Sequence, residues 1–321
     1  MGDDVMRTGG TDESPGSEAN DTSRVGVIGL GSMGRAVATC LIRAGRPLVV
    51  YDVRTEAADD LPAGTIVATA PSEVAAACDV VLIVVVDEAQ VRAVLWGPGG
   101  VMESARESLS VVVLSTIGVP ALLDMAEEAL RSGVTLLDCG VTGGDVAATS
   151  GVVSMVGGDE GAVRRIRPVL NDFSSGVFHM GPLGAGMSTK LVRNLITYGT
   201  WHVVYEAGVL AERSGVDLAM LADVIESSFR TAGMTFLLRR GTMAPMDPAD
   251  PGFDAARLQL MTATVGLLHK DLQAAQDLAA AKNVDLSVIA PTRADAELIL
   301  ALPTQAAEVN DNGAVNRHKE A

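Results

Sequence analysis

The apolar tetrad Val25 to Ile28 runs directly into Gly29-Leu30-Gly31-Ser32-Met33-Gly34, and that run opens a helix-forming stretch from Arg35 to Arg43. No other feature restricts the fold of this 321-residue chain so strongly. Alone, GxGxxG is a weak pattern. Between a strand and a helix it reads as the first turn of a dinucleotide-binding βαβ unit. The first glycine permits the tight turn, the second lets backbone approach a pyrophosphate, and the third lets helix and strand pack closely. The phosphates then rest on a helix N-terminus, where unpaired N–H groups and the dipole favour negative charge. Asp52 ends the next predicted strand at about the ~20-residue spacing expected of the ribose-binding acid. Its carboxylate suits the two ribose hydroxyls and repels a 2′-phosphate, whereas Arg54, two positions on, suits that phosphate. The expected cofactor is NAD, with NADP as the alternative.

The rest of the first half repeats the strand–helix alternation. Leu48–Tyr51, Thr65–Ala68, Val80–Val86, Val111–Leu114, Thr135–Asp138 and Val152–Gly158 are predicted strands. Continuous β-branched runs of this kind suit strands covered on both faces, as in a parallel sheet. After Gly186 the character changes. Met187 to Ser214 contains no Pro and only two glycines and reads as one long helix. Further helices are predicted around 218–228, 233–242, 255–281 and 287–301, with a Pro- and Asp-rich loop at 244–254. The fold class is therefore α/β: an N-terminal doubly wound Rossmann domain at 24–185, joined by a long helix (186–215) to an all-helical domain at 186–303. Residues 1–23 and 304–321 read as an acidic disordered tail and a flexible C-terminal tail.

Composition narrows the function. The net charge of −16 argues against duplex nucleic acid, which needs clustered Lys and Arg. Cys40, Cys78 and Cys139 lack zinc or CxxC spacing, and His179, His202 and His269 lack metal-ligand spacing, so no metal is expected. The longest apolar run, Val80 to Val86, is too short for a bilayer, no signal-peptide pattern opens the chain, and a cytoplasmic protein is expected.

Lys190 and Asn194 lie four apart on the long helix and so share a face, which Tyr198 and Trp201 continue. A partly desolvated Lys suits general acid/base work, although a helix-face Lys is more often a solvated charge. The wording of the sequence adds more. GLGSMG at 29–34, LSTIGVP at 114–120, DCGVTGG at 138–144, GVVSMVGG at 151–158, GPLGAGMSTKLVRN at 181–194 and HKDLQAAQDLA at 269–279 follow in order. The set resembles the β-hydroxyacid dehydrogenase family, which includes 3-hydroxyisobutyrate dehydrogenases and more distant 6-phosphogluconate dehydrogenases, over about residues 24 to 302.

The resemblance implies that Lys190 is the catalytic acid/base and that Asn194 orients the substrate. It implies that Thr142, Gly143 and Gly144 hold the substrate's acid group. Thr116, Val85 and Val86 would border the nicotinamide, and Lys270 would reach in from the helical domain. It further implies a homodimer or homotetramer assembled through that domain, with a small anionic hydroxy acid as substrate. This chain departs from the family's usual DAPVSGG: Cys139-Gly140 replace Ala-Pro and Thr142 replaces Ser, and losing the Pro is expected to loosen the entry to the loop. Arg193 stands where Asn or His is common, and either meets a second anionic substrate group or turns to a structural carboxylate. The leading expectation is NAD-dependent oxidation of a β-hydroxy acid. An NADPH-dependent imine reductase is the second reading, although such enzymes usually carry Asp or Tyr at the Lys190 position. A non-catalytic dinucleotide-binding scaffold is the third, and retention of Lys190 and Asn194 argues against it.

Overall fold

The computed structural model describes residues 23–62, 64–143, 147–228, 244–251 and 253–303. Both predicted tails, the predicted helix at 233–242 and Gly144 lie outside them. Eight strands form one sheet: β1 (Val25–Ile28), β2 (Leu48–Tyr51), β3 (Ile66–Val67), β4 (Val80–Ile83), β5 (Ser110–Val113), β6 (Thr135–Thr142), β7 (Val152–Gly157) and β8 (Ser174–Gly181). Their spatial order is β3-β2-β1-β4-β5-β6-β7-β8. Neighbours are parallel except β6 and β7, which run antiparallel. The chain reverses its direction of travel across the sheet between β1 and β4, and in doubly wound sheets that reversal opens the ligand crevice at the strands' carboxyl ends.

Helices α1 (Ser32–Arg43), α2 (Pro71–Ala77), α3 (Glu88–Trp96), α4 (Val119–Arg131), α5 (Ala147–Ser150) and α6 (Glu160–Phe173) cover the sheet. Side chains alternate between the faces, as the pleat requires. Val25, Val27, Leu137, Cys139 and Val141 join Leu41 of α1 and Phe173 of α6 in one core. Ile28, Val81, Ile83 and Leu136 join Leu95 of α3 and Leu122 of α4 in the other. With both faces covered there is no room for polar alternation, which explains the unbroken Val/Ile/Leu runs.

The remaining helices are α7 (Ala185–Arg213), α8 (Leu218–Ser228), α9 (Ala255–Ala281), α10 (Ile289–Ala294) and α11 (Ala296–Ile299). The chain divides into two compact units between Leu195 and Ile196, within α7. In the second unit α10 and α11 close on α9 around Val265, Ala296, Leu300 and Leu302. Among the described residues no helix is long and apolar enough to cross a membrane.

Several boundaries differ from the sequence expectation. The strand predicted over Val80–Val86 ends at Ile83, because the Val85 N–H turns to the Ser115 hydroxyl instead of a neighbouring strand. The strand predicted over Thr65–Ala68 shrinks to Ile66–Val67. The helix predicted over 287–301 is two short helices meeting at Asp295. β6 extends four residues past Asp138 and is paired with β7 through Thr142↔Val153, so Gly140 lies within the sheet. β8 was not foreseen: Ser174-Ser-Gly-Val-Phe-His-Met-Gly181 is an exposed, polar-interrupted sheet edge without an apolar run.

Candidate active site

The carboxyl ends of the parallel strands carry the predicted cofactor residues. Gly29 follows β1 with φ +96°, a left-handed conformation, and a side chain there would lie 2.5 Å from the Val84 carbonyl. Gly31 faces open space, with nothing within 4 Å of where a Cβ would stand. At Gly34 a Cβ would drive into the Gly29 carbonyl. These three environments match the three roles that a pyrophosphate turn needs. Gly31 also precedes α1 and gives it no side-chain cap, the kind of helix start that can accept a phosphate. Leu30 is buried.

Asp52 lies just beyond β2. Its Oδ2 accepts the Leu30 N–H at 2.7 Å, and its Oδ1 accepts the Arg54 N–H at 2.9 Å and Nε–H at 3.1 Å. Burial pushes the carboxyl's pKa up, but the Arg54 side chain and the two backbone donors outweigh it, and the pKa falls below the ordinary range. The two residues whose preferences were set against each other are thus one ion pair. Val85 and Val86 follow β4, and the Val86 side chain is exposed. Ser115, a residue the sequence reading passed over, accepts the Val85 N–H at 2.9 Å and precedes the exposed Thr116.

Two strands along the sheet from β4, β6 presents Asp138, Gly140 and Thr142 on one face, and α7 packs against it. Asp138 is fully buried. Its Oδ1 accepts the Gly184 N–H at 2.7 Å and its Oδ2 the Met187 N–H at 2.5 Å, closing the open end of α7. Burial pushes its pKa up, opposed by the N–H donors of Gly184, Met187 and Gly186. A Cβ on Gly140 would stand 2.5 Å from the Lys190 Cβ and 3.0 Å from the Gly186 carbonyl. Lys190 is half-buried, and burial first and the Arg193 guanidinium second push its pKa below the usual lysine range. Asn194 is half-buried one turn on, and its Oδ1 accepts from exposed Arg193 at 3.4 Å. Gly143 is half-buried behind Thr142, against Ala147 and Val152.

The first unit therefore carries two groups: the glycine turn with Asp52 and Arg54, near which Val85 and Thr116 follow their strands, and Gly140 with Lys190, Arg193 and Asn194 on α7, beside which β6 ends at Thr142. Lys270 lies on α9 in the second unit, exposed and 3.3 Å from Asp271. The side chains of Tyr198 and Trp201 are outside the described set. His202, of α7, is instead bound to Ser287 at 3.0 Å and to Glu206 at 3.1 Å.

Comparison with known proteins agrees with this geometry. The NAD binding domain of 6-phosphogluconate dehydrogenase matches residues 24–181, and the NAD-binding domain of NADP-dependent 3-hydroxyisobutyrate dehydrogenase matches 184–317. An uncharacterized oxidoreductase of Mycobacterium tuberculosis is 38% identical over 83% of this chain and 89% of its own. The 2-(hydroxymethyl)glutarate dehydrogenase of Eubacterium barkeri is 30% identical over 83% and 86%. The structure of M. tuberculosis 3-hydroxyisobutyrate dehydrogenase with L-serine is 28% identical, at TM-score 0.60, over 86% and 92%. An imine reductase from Myxococcus stipitatus, with NAD+, shares the fold at TM-score 0.69 and 17% identity, over 86% and 92%. A dinucleotide turn on a doubly wound sheet, followed by a helical region, makes this an NAD(P)-dependent oxidoreductase acting on hydroxyl groups. Within that class, the chain belongs to the β-hydroxyacid dehydrogenase family.

Proposed function

We propose that this enzyme oxidises a small β-hydroxy acid at its hydroxyl-bearing carbon, with Lys190 as general base and NAD as the preferred cofactor. The observation that carries the reading is the half-buried Lys190 seated over Gly140, on the strand face that ends at Thr142. Gly186 and Lys190 both lie against Gly140, so α7 passes β6 at backbone distance there.

When bound, the nicotinamide supplies the hydride acceptor. The protein does the rest. Thr142, with the N–H group of Gly143, holds the carboxylate. Asn194, its oxygen engaged by Arg193, turns its amide N–H₂ toward the substrate hydroxyl. Lys190 takes the hydroxyl proton. Half-buried and beside a guanidinium, the resulting ammonium readily passes that proton on to water. Orientation supplies much of the acceleration, and proton transfer adds about 10²–10⁴-fold. Arg193, exposed beside this site, suits a second carboxylate on the substrate, in keeping with the dicarboxylate named for the E. barkeri relative.

An ionised Asp52 at the second strand supports NAD over NADP. The apolar side chains exposed on α7, α8 and α9 of the second unit support a homodimer or homotetramer built through it. The test is NADH production from β-hydroxy acids, 3-hydroxyisobutyrate and 2-(hydroxymethyl)glutarate among them, against NADPH consumption with cyclic imines. Turnover only in the imine assay would replace this reading with imine reduction. Lys190→Ala is expected to abolish oxidation while NADH affinity, measured by fluorescence titration, stays within about twofold, since a base acts in the chemical step and not in cofactor binding.

A further inference from the structure

Lys190 owes its depth to contacts that neither the glycine turn nor the substrate loop provides. Asp138 spends both oxygens on the entry to α7, one on Gly184 and one on Met187. The helix also passes the sheet at backbone distance. A Cβ on Gly157 would strike Asp138, one on Gly186 would strike the Met155 carbonyl, and one on Gly140 would overlap the Lys190 stem. Asp138 and Gly140 are two apart on β6, so anchor and gap fall on the same face. Packing this close admits no small adjustment: α7 either seats fully or lifts away.

We infer that Asp138 is a positioning residue for Lys190, acting with the gap at Gly140 to hold the amine at the depth where it works as a base. The inference rests on the acid/base reading of Lys190 given above, but its test does not use turnover. An amide at 138 would bring an N–H₂ against one of two backbone N–H donors, so Asp138→Asn loses one anchor while keeping the shape. Gly140→Ala adds one methyl where the Lys190 Cβ and the Gly186 carbonyl already stand. Its backbone is not left-handed, so the steric conflict is the main change. Among the described residues the charged group bearing on Lys190 is Arg193 on its own helix, while both Asp138 oxygens on β6 are taken up by the Gly184 and Met187 N–H groups. The β7 residues packed against the start of α7, Met155 and Gly157, carry no charge.

The chain has four lysines: Lys190, Lys270, Lys282 and Lys319. Reductive methylation of the full-length protein with ¹³C-formaldehyde therefore gives few enough signals to titrate individually by NMR, with Lys190→Arg assigning the relevant one. In the wild type the Lys190 signal should titrate below the usual lysine range. In Asp138→Asn and in Gly140→Ala it should move up by about one unit, a tenfold gain in proton affinity, as the amine is released toward water. The thermal midpoint should stay within a few degrees of the wild type's. A destabilised fold would lower the midpoint without moving one lysine selectively. A Lys190 signal unchanged in Gly140→Ala, or in a folded Asp138→Asn, overturns the inference. If Asp138→Asn does not fold, the Gly140→Ala titration alone decides. Turnover retained in Lys190→Ala would remove the base reading and leave these titrations standing.

Discussion

At Lys190, loss of hydration and a neighbouring guanidinium both disfavour the ammonium. A base works in its neutral form, and that form dominates above the pKa. Lowering the pKa therefore moves the acid limb of the oxidation profile to lower pH. The kcat/KM for a β-hydroxy acid should accordingly rise through a pH below the ~10.4 of an unperturbed lysine. Arg193→Ala should move that limb upward, since it removes one of the two causes, and initial rates across pH check both statements. At Asp52 the bond to Leu30 matters as much as the charge. Asp52→Ala leaves the Leu30 N–H without its acceptor and frees Arg54 from its ion pair. Hydrogen bonds to charged groups contribute about 1.5–3 kcal/mol, so NADH affinity should fall roughly tenfold or more. Discrimination against NADPH should narrow as well, and parallel titrations with the two cofactors would measure both effects.

Among the secondary elements, the strands were legible wherever one physical cause acted alone. β1, β2, β4, β5 and β7 sit between covering helices, so burial on both faces wrote itself into continuous apolar runs. β8 stayed hidden because an exposed edge needs no such run. The added length of β6 was hidden too, since Cys139, Gly140 and Thr142 carry no strand signal and are held by pairing with β7. In the second unit, α9 begins where Asp254 caps it through the N–H groups of Ala256 and Arg257, a signal visible in the sequence. The break between α10 and α11 was not visible. Glu206, three-quarters of the way along α7, accepts the Ser287 hydroxyl and the N–H groups of Ser287 and Val288. The Ser287 hydroxyl first, and then the backbone donors and His202, hold its pKa below the ordinary glutamate range despite burial. A depressed carboxylate stabilises the fold above its unfolded pKa, and that contribution fades as pH falls through the folded one. Glu206→Gln should lower the thermal midpoint at neutral pH, and the deficit should shrink below about pH 4, as followed by circular dichroism.

For the whole molecule, the second unit exposes Val203, Val204 and Tyr205 of α7, Met220 and Val224 of α8, and Leu260 and Leu267 of α9. On the proposed reading these side chains meet a second copy of the chain. Sedimentation should find at least twice the 33.1 kDa chain mass, and Val204→Asp with Met220→Asp should return the monomer. What the sequence determined by itself was local: a turn that only glycines can make, strands whose burial fills them with β-branched residues, and the words of a family in their order. These follow from sterics and hydrophobic period, which act between near neighbours. Tertiary structure alone decided that Arg54 belongs to Asp52, that Ser115 braces Val85, and that Asp138 closes α7 above a glycine gap under Lys190. Each joins positions through space, by charge, by one hydrogen bond, or by the absence of a methyl group. No spacing along the chain encodes which backbone will come close enough to require it.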